Sequence, residues 1–158
     1  METIQKTIEV QLPVTVVYNQ WTQFEQFPNF MEGITEVKQE GNSHLHWKAN
    51  IAGKTVEWDA EIYEQRPDDI IAWRSTYGAM NVGSVHFIPL EGERTLIELK
   101  IAFEPQSIAE SIGDALGLVS RRIQGDLDRF KEFIEARQQE TGAFRGEIHS
   151  TASVQPKK

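Results

Sequence analysis

One stretch limits what this chain can become. In residues 107–139 the apolar positions Ile108, Ile112, Ala115, Leu116, Val119, Ile123, Leu127, Phe130, Phe133 and Ile134 recur at steps of three and four. That spacing draws a single apolar stripe along one helix. Ser107 and Glu110 have the spacing of a capping box, in which each side chain satisfies a free amide of the first turn. Lys131 and Arg137 lie toward the other end, where the helix dipole favours cations. Such a helix runs roughly 50 Å at 1.5 Å per residue. Its stripe needs an apolar partner along that length.

The rest of the chain supplies a sheet. Residues 3–12 place Ile4, Ile8, Val10 and Leu12 on one face of a half-buried strand. Pro13 suits the first turn of a short helix over VTVVYNQW, and FEQFPNFM (24–31) reads as a second short helix broken around Pro28. From Gly33 the period becomes two. Strands are expected at 34–40, 44–51, 54–64, 70–76, 82–90 and 95–104, parted by Gly41-Asn42, Ala52-Gly53, Pro67-Asp68-Asp69, Gly78 and Glu91-Gly92-Glu93. Links this short join antiparallel neighbours, because parallel strands need long crossovers. The order is α+β with a curved antiparallel sheet of about seven strands. Gly142 is the expected stop of the long helix. One domain is expected over 1–148, with a disordered tail over 149–158.

Composition removes several classes of function. The chain has 158 residues, a net charge of −8 and no cysteine. No basic footprint offers itself to a phosphate backbone, so direct nucleic-acid binding is not expected. Disulfide and thiolate chemistry are excluded. No apolar run is long enough for a leader or a membrane span, and a cytoplasmic location is the expectation. No GxSxG, phosphate loop, HExxH or CxxC pattern occurs, so no cofactor is implied. His44 and His46 share a strand face, but spacing places no third ligand beside them, and no metal site is expected. The row Glu57, Asp59 and Glu61 alternates with Trp58 and reads as a solvated face, unsuited to acid–base work.

Particular stretches carry a family resemblance. VYNQWTQFEQFPNFMEGITEV (17–37), IAWRSTYG (71–78), GSVHFIPL (83–90) with Thr95, and DLDRFKEFIEARQQETGAFRGEI (126–148) resemble the polyketide cyclase/dehydrase branch of the START/Bet v 1-like (SRPBCC) superfamily. The resemblance implies a helix-grip fold, in which the sheet wraps the C-terminal helix around a cavity.

Trp47, Trp58 and Trp73 fall on three consecutive expected strands, with Trp21 on the first short helix. Indoles make flat apolar walls, suited either to a ligand pocket or to plain core. Gly113, Gly117 and Gly125 each weaken the helix by about 1 kcal/mol relative to alanine, so either a ligand or close packing should use the space. With the resemblance, the ligand-contacting set is Trp47, Trp58, Trp73, Phe87, Leu99, Ile112, Leu116 and Val119. The pocket wall is then the helix's first half, and Ile123 to Ile134 is structural packing.

The leading expectation is binding of a hydrophobic small molecule: a lipid, an isoprenoid or quinone, or a polyketide-like compound. An aromatase/cyclase or dehydratase is the alternative, drawing on Tyr63, Arg74, Ser75, Tyr77 or Asn81. A third reading is a quinone-chaperone-like or partner-binding protein. The sequence leaves a protein partner and homodimerisation open.

Overall fold

A computed structural model describes residues 1–51, 53–105 and 112–149, the side chains of 112–115 excepted. The strands are β1 (Glu2–Val10), β2 (Ile34–Glu40), β3 (His44–Ile51), β4 (Lys54–Arg66), β5 (Ile70–Gly78), β6 (Asn81–Leu90) and β7 (Arg94–Phe103). Helix α1 (Val14–Trp21) and a 3₁₀ helix (Phe24–Asn29) follow β1, and α2 (Ile112–Arg137) follows β7. All seven strands form one antiparallel sheet in the order β1-β7-β6-β5-β4-β3-β2. From β2 to β7 the chain simply meanders. The two short helices carry it between the two edge strands, β1 and β2. This is the helix-grip arrangement, a curved sheet holding a long C-terminal helix.

Strand faces follow the alternation. Ile97, Leu99 and Phe103 of β7 are buried while Lys100 is exposed. Two irregularities in the β4–β5 pairing fall between Asp59 and Ala60 and between Ile62 and Glu64. An extra residue in one strand reverses which side chains face inward. Gln65 consequently turns into the core beyond Ile62, and its Nε2 donates to the buried Tyr18 hydroxyl at 3.0 Å. The strand therefore runs to Arg66 rather than ending at 64.

The helix ends earlier than Gly142. Gln138 adopts a left-handed φ of 66° and its N–H donates to Ile134 O at 2.9 Å. Beyond it the chain straps back across α1. Thr141 N donates to Gln20 Oε1 at 2.8 Å and Phe144 N to Thr22 Oγ1 at 3.1 Å. A bridge between Ile148 and Gln65 then closes the strap on β4. The expected capping box at Ser107 and Glu110, and all of the expected tail but His149, lie outside the described residues.

Candidate ligand cavity

The core is dense at one end of α2. Phe130 and Ile134 are fully buried, and Phe130 meets Trp21 and Phe30 edge-on at centroid distances of 4.9 and 5.4 Å. Trp21 also meets Phe27 at 5.6 Å. Such contacts are favoured aromatic geometry.

Toward the middle of α2 the packing opens into a cavity of about 190 Å³ between helix and sheet. Its walls are Val119, Ile123 and Leu127 of α2, the strand residues Trp47, Ala49, Val56, Trp58, Ile71, Trp73, Leu99 and Ile101, and Trp21, Phe24, Phe27 and Met31 from the segment between β1 and β2. All four tryptophans of the chain line it. Trp47 and Trp58 are direct cross-strand partners and stack with planes 6° apart and centroids 5.9 Å apart. Trp73 stands beyond them, its Nε1–H donating to Asn81 Oδ1 at 3.0 Å. An apolar cavity of roughly 150 Å³ already stays dry and takes benzene, so this one has room for a small ring system.

Two strand glycines allow close approaches beside the tryptophans. A Cβ on Gly83 would lie 2.5 Å from the Trp73 ring, and one on Gly78 would lie 2.3 Å from Glu57 O, beside Trp58. Gly78 also has φ +84°, a conformation that costs side-chain-bearing residues dearly. Of the helix glycines, Gly117 and Gly125 face Arg121 and Arg129 and do not line the cavity. The side-chain surroundings of Gly113 lie outside the described residues.

Charge enters the lining at Arg122 and Asp126. Asp126 is 8% exposed, and burial pushes its carboxyl above the usual range against the pull of Arg129, Arg122 and the Glu32 amide. Arg129 Nη2 donates to Asp126 Oδ1 at 2.7 Å, and its Nε donates to Phe30 O at 3.0 Å. Glu32 reaches both arginines loosely, at 3.6 Å from Arg122 and 3.5 Å from Arg129. Arg122 lies across Gly33, where a Cβ would come within 3.0 Å of its side chain.

The back of the sheet is polar and separate. His46 Nδ1 lies 2.6 Å from Asp59 Oδ1 and its Nε2 lies 3.0 Å from Glu57 Oε1. The Asp59 hydrogen bond is the main cause that raises the imidazole pKa. Arg74 pairs with Glu61 at 3.2 Å and lies over the Tyr63 ring. Among the described residues no group of three or more His, Asp or Glu is placed to hold a metal ion. None of the described helices is long and apolar enough to cross a membrane.

The polyketide cyclase / dehydrase and lipid transport model matches residues 10–132. The chain belongs to that family. It is 46% identical over 149 residues to an uncharacterised 17.2 kDa protein of the melC2–rnhH intergenic region of Streptomyces lincolnensis, covering 94% of this chain and 99% of that one. The fold is similar to the Zhui aromatase/cyclase of Streptomyces sp. R1128, with TM-score 0.74, 17% identity, and 90% and 99% of the two chains covered. It is also similar to a START superfamily protein of Mycobacterium smegmatis, with TM-score 0.65, 16% identity, and coverage of 85% and 95%.

Within this family framework the expected contact set divides. Trp47, Trp58, Trp73, Leu99 and Val119 line the cavity. Phe87 does not: it is 3% exposed and edges onto Tyr18 and Trp21 at 5.2 and 6.0 Å, inside the packed core. Leu116 sits in a smaller apolar cluster with Ile4, Val56, Ala79 and Phe103, outside the lining. The Ile112 side chain lies outside the described residues. The cavity wall also extends further along α2 than expected, since Ile123 and Leu127 belong to it with Val119. Arg122 and Asp126 were missed, although a signal existed. Positions 119, 122, 123, 126 and 127 share one helical face, so both charges interrupt the apolar stripe.

Proposed function

We propose that the protein binds a hydrophobic small molecule in the cavity between α2 and the sheet. One observation carries this reading: four indoles and an apolar sheet floor surround unfilled space, where a close-packed core would have none. Family membership and the likeness to aromatase/cyclases support a hydrophobic-ligand or polyketide-processing role. Binding without turnover is the better reading. Of the sequence's polar candidates for enol or aldol chemistry, only Asn81 lines the cavity, its amide committed to Trp73 and Ala79 O, and the acid in the lining, Asp126, is held by Arg129. Tyr77 is 77% exposed, and Arg74 pairs with Glu61 on the other face. Transfer of apolar surface at about 25 cal/mol per Å² supplies the affinity. The test is solvent extraction of the purified protein followed by mass spectrometry, with native mass spectrometry beforehand. An apolar compound at one per chain is expected. A ligand-free protein that binds no member of an aromatic, isoprenoid and fatty-acid panel would overturn the reading.

A further inference from the structure

The cavity has one charged corner, and its two arginines are used unequally. Arg129 is spent on structure: it donates to Phe30 O and Asp126 and so ties α2 to the loop before β2. Arg122 lines the cavity. Among the described residues its side chain makes no hydrogen bond and one ion pair, to Glu32 Oε1 at 3.6 Å, beside a longer-range attraction to Asp126. The Glu32 carboxylate is 68% exposed and divides itself between both arginines. A guanidinium carries five donors in a fixed fork that suits a carboxylate. Leaving it at the edge of an apolar cavity, with one loose and solvated ion-pair partner and with Asp126 already taken by Arg129, provides a replaceable counter-ion.

We propose that Arg122 is a ligand anchor, and that the cavity takes an aromatic compound bearing one carboxylate, which displaces Glu32 from Arg122. This rests on the reading that the cavity binds an apolar molecule. The ring system would lie among Trp47, Trp58 and Trp73, with its carboxylate at Arg122. The size of the void limits the ring portion. At about 190 Å³ it lies below the roughly 300–1,000 Å³ of drug-sized pockets, so one or two fused rings fit. Asp126 does not repel the ligand group strongly, because Arg129 neutralises it at 2.7 Å. Gly33 leaves the room in which the Arg122 side chain lies beside the cavity.

Naphthalene and 2-naphthoate separate the ring from the charge. Each is titrated into the full chain while tryptophan emission is followed, since all four indoles line the cavity. Arg122→Met is expected to weaken 2-naphthoate about tenfold or more, in keeping with the loss of a charge-assisted hydrogen bond, and to leave naphthalene within about twofold. Glu32→Gln, on an exposed side chain, is expected to tighten 2-naphthoate by about two- to fivefold and leave naphthalene unchanged, because the competing carboxylate is gone. These opposite signs are the signature of displacement. Equal effects of Arg122→Met on both ligands would overturn the anchor, as would naphthalene binding with no 2-naphthoate binding. Weaker 2-naphthoate binding by Glu32→Gln would overturn the displacement. Failure of both compounds to bind the folded wild type would remove the cavity reading itself.

Discussion

The two ends of the α2–sheet interface are built from similar residues and packed differently. At Phe130 and Ile134 both helix side chains are fully buried, and Phe130 meets Trp21 and Phe30 edge-on. At Val119 and Ile123 it faces stacked indoles across open space. The amount of aromatic surface does not separate the two ends. The dense end receives its rings from α1 and the 3₁₀ helix, which insert between α2 and the sheet. At the hollow end the strands add three indoles to the edges of Trp21, Phe24 and Phe27, and cross-strand pairing holds Trp47 flat against Trp58. Side chains pinned to the sheet cannot close a gap that the curvature of the sheet keeps open.

The sharpest way to break this contrast is a matched pair of truncations, read by urea unfolding. Phe130→Ala leaves a void in close-packed surroundings and is expected to cost about 3–5 kcal/mol. Ile123→Ala enlarges a space that already exists and is expected to cost only about 2 kcal/mol, at the low end for such changes. Equal costs would mean that the two ends are packed alike.

The elements were legible because alternation and turn residues mark them plainly. Helix α1 and strands β2 and β3 fall where VTVVYNQW, ITEVKQE and HLHWKANI place them. The cavity was less legible, because it depends on pairings between distant residues. The irregular β4–β5 pairing, which turns Gln65 inward, leaves no mark in the sequence pattern. Phe87 alternates inward as Trp73 does, yet α1 covers it with Tyr18 and Trp21. The helix glycines stand out in the sequence as the small residues, whereas it is Gly83 that seats an indole, Trp73, and Gly78 that lets β5 close on the β4 backbone at Trp58.

A smaller effect contrasts two carboxylates, Asp126 buried and Asp68 partly exposed. Burial raises the Asp126 pKa from the ordinary 3.8. Its contribution to stability is therefore full below 3.8 and is lost as pH rises through the raised folded value. Asp126→Asn should thus compare better with wild type at pH 7 than at pH 3.5. Asp68 shows the opposite sign. The hydrogen bond from Arg145 holds its pKa below the ordinary 3.8, so its contribution is present above 3.8 and is lost as pH falls through the lower folded value. Asp68→Asn should compare worse with wild type at pH 7 than at pH 3. Urea midpoints at the three pH values decide both, and parallel slopes would contradict the assignment.

The central claim is that the space between Val119 and the tryptophans is a binding site and not slack in the core. Calorimetric titration of naphthalene into wild type and Val119→Phe tests it most directly. The added ring fills the cavity from the helix side and should change stability by no more than about 1 kcal/mol. Wild type is expected to bind one equivalent with a dissociation constant on the order of 10–100 μM, and the filled variant to bind none. A folded Val119→Phe protein that binds naphthalene as wild type does, or a wild type that shows no saturable heat, would contradict the account.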